Sequence, residues 1–250
     1  MRDYYDRMPS RLLKTVLRVP GIGRHLAPAW FDEARLIVQR PAFARVLDGR
    51  PLRGRVLNAG CGEGLYAGFI EAFDGVRSIV NMDVHEPRVA RRRGDDRHHD
   101  QLGSLDALPF AAGVFDAVVC TEVLEHVPRD GDAVAELARV IKPGGTLLMS
   151  VPTPPAPFDR AHVREGYTLA ELSAPLEKAG FEVVASERCL HGVMRASFVA
   201  WQWQQRIAGR NLFPRALLRA AAHVDRATRL GRPWDLIVVA VRRPALLSAG

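Results

Sequence analysis

The sequence predicts an α/β protein built on a doubly wound, mainly parallel β-sheet. Three observations carry that reading. Short strand-like runs alternate with helical patterns from about residue 54 onward, the order that builds parallel sheets. The strongest run, Phe115-Asp116-Ala117-Val118-Val119-Cys120, is apolar enough for a central strand covered on both faces. A glycine-rich turn, Gly60-Cys61-Gly62-Glu63-Gly64, joins the first strand to the first helix, where backbone can approach a ligand closely.

The elements follow in order. Arg55-Val56-Leu57-Asn58 is the first strand, and Leu65, Phe69, Ile70 and Phe73 after the glycines have helical spacing. Ser78 to Asp83 is the second strand, while Arg88 to Arg97 is too polar to assign. Phe115 to Cys120 is the central strand. Asp132 to Ile141 reads as a helix stopped by Lys142-Pro143-Gly144-Gly145, and Thr146 to Val151 as the next strand. Leu169 to Ala179 is a helix with Gly180 as its stop, and Phe181 to Ser186 is a strand. After a long basic interruption, Trp234 to Val241 supplies the last strand.

The chain's 250 residues are 48% hydrophobic and 25% charged, which excludes a disordered or collagen-like protein. No apolar run reaches the roughly 18–20 residues of a spanning helix, and Met1-Arg2-Asp3-Tyr4-Tyr5-Asp6 lacks the apolar stretch of a signal peptide. Cys61, Cys120 and Cys189 show no CxxC spacing and read as reduced packing thiols of a cytoplasmic protein. The formal charge of +7 is unevenly spread. Residues 1–55 carry 12 basic and 5 acidic side chains, residues 56–192 carry 13 and 21, and residues 193–232 carry 8 Arg against Asp225 alone. An acidic middle flanked by basic segments predicts a central module with additions that meet an anionic surface or substrate, or that simply face water.

Gly60, Gly62 and Gly64 give G-x-G-x-G, with Leu65 where a dinucleotide fingerprint wants its third glycine. Asp83 lies 21 positions after Gly62, at the end of the second strand, where a carboxylate can accept both hydroxyls of a ribose. Together these features point to an adenosine ligand without a pyrophosphate.

At this point the sequence resembles the class I S-adenosylmethionine-dependent methyltransferases, nearest the quinone-type branch. Val56-Leu57-Asn58-Ala59-Gly60-Cys61-Gly62-Glu63-Gly64 is similar to their first motif, and Asp83 to their ribose-binding acid. Leu108-Pro109-Phe110, Val114 to Val119, Glu125-His126-Val127-Pro128 and Leu137 to Gly145 resemble the segments around their fourth strand. The resemblance implies a Rossmann-like, seven-stranded sheet and S-adenosylmethionine as cofactor. It implies a cofactor set of Asn58, Gly60, Cys61, Gly62, Gly64, Asp83, Val84, Ser104, Leu105, Asp106 and Thr121. The chain departs from the pattern twice. Asn58 stands where the family usually has Asp, and Gly103-Ser104 where it usually has Gly-Asp, leaving Ser104, Leu105 and Asp106 as candidates to meet the adenine.

Methyl transfer from a sulfonium is an in-line displacement, so alignment supplies most of the rate, and an oxygen acceptor also needs its proton removed. Thr121-Glu122-Val123-Leu124-Glu125-His126 places two carboxylates and an imidazole at the carboxyl end of the central strand, facing the ligand mouth. Glu122, Glu125 and His126, with His162, are the candidate acceptor-side residues. Similar segments hold a divalent metal in quinone O-methyltransferases and small-RNA 2′-O-methyltransferases. The reading adopted has no metal and treats His126 as a base or acceptor-orienting group. The tandem His98-His99 reads as a solvated loop.

Arg215, Arg219, Arg226 and Arg229 fall in one sector of a helical wheel opposite Leu217, Ala221 and Val224, and residues 11–18 repeat the pattern. With Phe198, Trp201, Trp203 and Ile207 nearby, this describes either an interfacial membrane helix or a core-packing pair with a wet outer face. The chain is therefore read as a helical cap over 1–53 and a methyltransferase domain over 54–250 with a basic helical insertion at 193–232. The expected reaction is O-methylation of a small-molecule or lipid-linked acceptor, with possible peripheral contact with an anionic membrane. An RNA methyltransferase and a catalytically silent adenosyl-binding scaffold are the alternatives.

Overall fold

The computed structural model describes residues 31–87, 89–157, 161–208 and 213–244. The amphipathic pattern at 11–18 lies outside them. The chain divides into two compact units, one of residues 39–189 with 233–250 and one of residues 1–38 with 190–232. The first boundary falls inside a helix, α1 (Phe31–Val46), rather than at 53/54, where β1 begins.

The larger unit holds a seven-stranded sheet. Its strands are β1 (Gly54–Ala59), β2 (Val76–Asp83), β3 (His98–Leu102), β4 (Phe115–Thr121), β5 (Ile141–Pro152), β6 (Phe181–Cys189) and β7 (Asp235–Arg242). Their order is β3-β2-β1-β4-β5-β7-β6. β1 to β5 pair in parallel, and β7 runs antiparallel between β5 and β6. The order turns back between β1 and β4, so a crevice opens outside their carboxyl ends.

Helices α2 (Ala67–Ile70), α3 (Val89–Arg93), α4 (Asp130–Val140) and α5 (Leu169–Lys178) connect the strands. The α5 start is a complete capping box: Thr168 Oγ1 accepts from the Glu171 N–H, and the Glu171 carboxylate accepts from the Thr168 N–H. β1, β4 and β5 are buried almost throughout, with Leu57, Val118, Leu147, Met149 and Phe115 at or near zero exposure. Strands covered on both faces read as continuous apolar runs, which is why these were the easiest to find.

Four expectations need correction. The helix after the glycines is a single turn, α2, because residues 61–66 stay in turns. α4 begins at Asp130 and ends at Val140, and Lys142-Pro143-Gly144-Gly145 belongs to the start of β5. The polar stretch 88–97 contains α3. His98-His99 opens β3, and His98 is 5% exposed. Its Nδ1 accepts from the Asn81 amide at 3.1 Å, so Nε2 carries the proton toward Glu71 Oε1 at 2.8 Å. β3 is an edge strand with four of its five residues exposed, and such strands carry polar side chains.

All three cysteines are buried free thiols. Burial, with the carboxylates nearby, pushes the Cys61 thiol up to about 12, and Cys120 and Cys189 rise for the same reason. They pack as neutral groups.

The smaller unit contains α6 (Gly192–Ala208), α7 (Arg215–Thr228) and the first half of α1. Asp225 is fully buried there and accepts from the N–H groups of His191 and Met194, both at 2.9 Å. It caps the start of α6, whose first N–H groups have no partner within the helix.

Candidate active site

β1 ends on the glycine turn, and two of its glycines are dictated by their surroundings. Gly60 has φ +67, and a Cβ there would lie 2.2 Å from Val123 Cγ2. Gly64 has φ +82 and closes against Val89, whose Cγ1 would stand 2.9 Å from a Cβ. Three N–H groups of the turn are committed within the protein. Cys61 donates to the Met82 carbonyl at 2.9 Å, Gly62 to Asp83 Oδ2 at 2.8 Å, and Gly64 to the Cys61 carbonyl at 2.9 Å. The turn therefore contributes shape rather than a set of anion-binding donors, in keeping with a nucleoside and not a pyrophosphate.

Asp83 closes β2. Its second oxygen, Oδ1, accepts from the His85 N–H at 3.0 Å. Each carboxylate oxygen keeps a further lone pair, so the fixed acid can still accept from a pair of hydroxyls. Asn58 is 2% exposed and donates to Asn81 Oδ1 at 3.2 Å. Asn81 in turn donates to Asp100 Oδ1 at 3.1 Å. Asn58 thus joins a buried polar chain linking β1, β2 and β3, in which a second carboxylate would face an acceptor.

A cavity of about 220 Å³ lies at the carboxyl ends of β1, β2 and β4. Asp83, Val84, Ser104, Leu105, Asp106 and His126 line it with Gly60. Met82, Gly103, Val123, Val127 and Pro128 complete the wall and were missed from sequence. Gly103, Val127 and Pro128 belong to the segments that resemble the family without being assigned to the site, and Met82 and Val123 adjoin or face motif residues, which is their only signal. Asn58, Cys61, Gly62, Gly64 and Thr121 are not among the residues that line it.

Ser104 Oγ donates to Asp106 Oδ1, and Arg129 donates to Asp106 Oδ2 at 2.8 and 3.2 Å. The Ser104 hydroxyl, then Arg129, holds the Asp106 carboxyl below the usual carboxylate range. Asp106 is therefore an ionised acceptor, and the hydroxyl proton of Ser104 must point at it. That leaves the Ser104 oxygen as an acceptor on the cavity wall.

Beyond β4, Leu124–His126 form a 3-10 turn. Glu125 is fully buried, and its Oε1 lies 3.8 Å from His126 Nε2 and 4.0 Å from His162 Nε2. The two imidazole rings meet edge to face at 4.7 Å. Val163 N–H donates to the Glu125 carbonyl at 3.0 Å, which brings the 161–167 segment against this turn. His126 Nδ1 donates to the Ala161 carbonyl at 3.0 Å. A carbonyl only accepts, so the neutral ring carries its proton on Nδ1 and keeps a lone pair on Nε2. Glu122 does not join the group. It sits at φ +56, with its carboxylate accepting from Ser150 Oγ at 2.8 Å.

A larger cavity of about 300 Å³ lies at the opposite end of the strands, the amino ends of β4 and β5, near Arg50, Arg53, Lys142 and Gly144. Its one acid, Asp116, accepts from Lys142 Nζ at 2.7 Å and from the Arg55 N–H at 2.8 Å. Open sheets of this order bind ligands at their carboxyl ends, so the smaller cavity is the candidate site.

The methyltransferase domain family matches residues 57–149, the span from β1 into β5. A protein of Mycolicibacterium smegmatis named "Probable S-adenosylmethionine-dependent methyltransferase" is 36% identical over 208 residues, covering 77% of this chain and 74% of that protein. The chain belongs to the S-adenosylmethionine-dependent methyltransferases. A ubiquinone biosynthesis O-methyltransferase of Thiobacillus denitrificans is 39% identical over 138 residues, half of this chain and 58% of that protein. A crystal structure of a Burkholderia thailandensis 1,6-didemethyltoxoflavin N1-methyltransferase, with its substrate and S-adenosylhomocysteine bound, superposes with a TM-score of 0.54. The identity is 21%, and the match covers 97% of this chain and 90% of that one. At that identity the likeness is one of fold. The two named methyltransferases modify oxygen and nitrogen, so membership in the family leaves the acceptor atom to the site.

Proposed function

We propose that this methyltransferase transfers a methyl group to an oxygen of a small or lipid-linked acceptor, with His126 taking the acceptor's proton. The observation that carries the proposal is the His126 imidazole, which lines the cavity with Nδ1 donating to the Ala161 carbonyl and the lone pair of the neutral ring left on Nε2. The oxygen assignment is further supported by the O-methyltransferase named among the relatives.

The residues present fit an adenosyl cofactor. Asp83 would accept from the ribose hydroxyls, and Leu105, Val123 and Met82, which line the cavity with Gly60, would supply apolar contacts to a base. Ser104 Oγ, its proton drawn to Asp106, would accept from the adenine amine in place of the family's usual Asp. S-adenosylmethionine, when bound, supplies a methyl group already activated on a sulfonium. The chain's task is then to hold the acceptor in line, exclude water and receive one proton at His126 Nε2. Buried Glu125 lies close enough to both imidazoles to orient them and to stabilise the imidazolium formed on His126.

A second reading has Glu125, His126 and His162 hold a divalent cation that lowers the acceptor's pKa. It is favoured by one ligand atom from each lying within 4.8 Å of the others. Chelation separates the two readings. Turnover that survives complete metal removal supports the imidazole base, and turnover abolished and restored by Mg²⁺, Mn²⁺ or Zn²⁺ supports the metal. RNA as acceptor draws support only from the basic flanks, since residues 56–192 carry 21 acids against 13 bases.

A further inference from the structure

We propose that the outward faces of α6 and α7 form a docking surface for an anionic lipid bilayer. The proposal deepens the lipid-linked acceptor reading and depends on it only for its purpose.

The aromatic and apolar side chains of α6 divide into two sets. Met194 is fully buried, and Phe198 and Trp201 pack on Phe31 with ring centroids 4.7 and 6.4 Å away. Val199, Trp203 and Ile207 follow one another at steps of four on the opposite face of the helix. They are 44%, 60% and 76% exposed. A core-packing helix would turn such a row inward. Three successive large apolar residues facing water mark a surface that something else covers.

α7 has three sectors rather than two. Leu218, Ala222 and Asp225 turn inward. Leu217 and Val224 occupy one flank and are 56% and 49% exposed. Arg219 and Arg226 occupy the other flank and are also exposed. The apolar side that the helical wheel offers for packing is therefore an outer surface.

Charge selects the occupant. Within residues 193–232 the one acid, Asp225, is buried as the cap of α6, and Glu33 of α1 is paired with Arg215 at 2.5 Å. The outward side chains of α6 and α7 thus include no acid, being apolar, cationic or neutral polar such as His223 and Thr228, while Asp32 at the start of α1 is the exposed acid of the described part of this unit. An anionic bilayer meets both properties, with headgroups for the arginines and the acyl boundary for Trp203, Ile207 and Val199. A nucleic acid has no use for the aliphatic row, and a second copy of the same face would bring arginines together. Among the described residues no helix is long and apolar enough to cross a membrane, so the contact is peripheral.

The test floats the full chain with vesicles of phosphatidylcholine, alone and mixed with phosphatidylglycerol, at low and high salt. Binding is expected on the mixed vesicles, weakened by salt. The double variant Trp203→Glu/Ile207→Glu is expected to lower partitioning by roughly a hundredfold. Arg219→Glu/Arg226→Glu is expected to lower it by about tenfold or more at low salt. Far-ultraviolet circular dichroism matching the wild type reports that the α6 and α7 unit stays folded, and calorimetric binding of S-adenosylhomocysteine in the other unit is expected to be unchanged. Failure of the wild type to float with anionic vesicles at low salt overturns the proposal, as does floatation that the folded variants leave intact. A dimer that Ile207→Glu converts to a monomer, without vesicle binding, also overturns it in favour of a second copy. None of these readouts depends on which acceptor is methylated, so the docking surface and the methylation reading fail separately.

Discussion

The Gly62 N–H donates to Asp83 Oδ2 over 2.8 Å, tying the glycine turn after β1 to the acid that ends β2. The turn and the acid are thus one construction, spaced 21 residues apart in sequence and a single hydrogen bond apart in the fold. Loss of the carboxylate would remove the proposed ribose acceptor and free the Gly62 N–H at once. Asp83→Ala is expected to weaken S-adenosylhomocysteine binding by roughly a hundredfold in calorimetry, the scale of two charge-assisted hydrogen bonds. Unchanged affinity would remove Asp83 from the cofactor site.

Ser104 and Asp106 divide their work across the cavity wall. Ser104→Ala is expected to weaken S-adenosylhomocysteine about five- to tenfold, the scale of one hydrogen bond. The same variant should bind the deaminated, inosyl analogue as the wild type does. If Ser104→Ala weakens both ligands equally, the serine shapes the wall without reading the amine.

In the proposed mechanism His126 takes the acceptor's proton. His126→Gln is expected to lower kcat by about 10²–10⁴-fold while leaving S-adenosylhomocysteine affinity within about twofold. Its pH–rate profile should lose the limb that reports the base. A variant that keeps that limb places the base elsewhere.

Glu136 on α4 ties the site to acid stability. Its carboxylate accepts from Arg139 at 2.6 Å and from the Leu108 N–H at 2.7 Å, and Arg139 donates to the Leu108 and Phe110 carbonyls. The pair thereby pins the segment that leads out of the cavity wall. The Arg139 guanidinium holds the Glu136 carboxyl below its ordinary value of 4.5. A carboxyl depressed in the folded state contributes stability that is present above its unfolded pKa and lost as the pH falls through the folded one. Denaturant midpoints should therefore drop with pH below about 4.5, and Glu136→Gln should flatten that dependence. An identical slope in the variant would contradict the assignment.

Much of this was legible in the sequence, for identifiable reasons. β4 and β5 are buried on both faces and announce themselves as apolar runs, and the glycine turn has few uses other than a close approach. β3 was illegible because an edge strand keeps polar residues, so His98 passed for a solvated one. Gathering Glu125, His126 and His162 while Glu122 turns toward Ser150 depends on a left-handed residue and on a contact with the 161–167 segment. Neither leaves a local signature. The helical wheel of α7 showed two sectors, but it had no means of telling which neighbouring sector packing would turn inward.

The proposed reaction is the methylation of an oxygen on a small or lipid-linked acceptor. The most direct test incubates fractionated cell extract with methyl-labelled S-adenosylmethionine and the purified chain, then partitions the label among lipid, small-molecule, RNA and protein fractions. Label is expected in the lipid or small-molecule fraction, carried as a methyl ether or ester and absent with the His126→Gln variant. Label confined to RNA or protein, or a methyl group found on nitrogen or carbon, would contradict it.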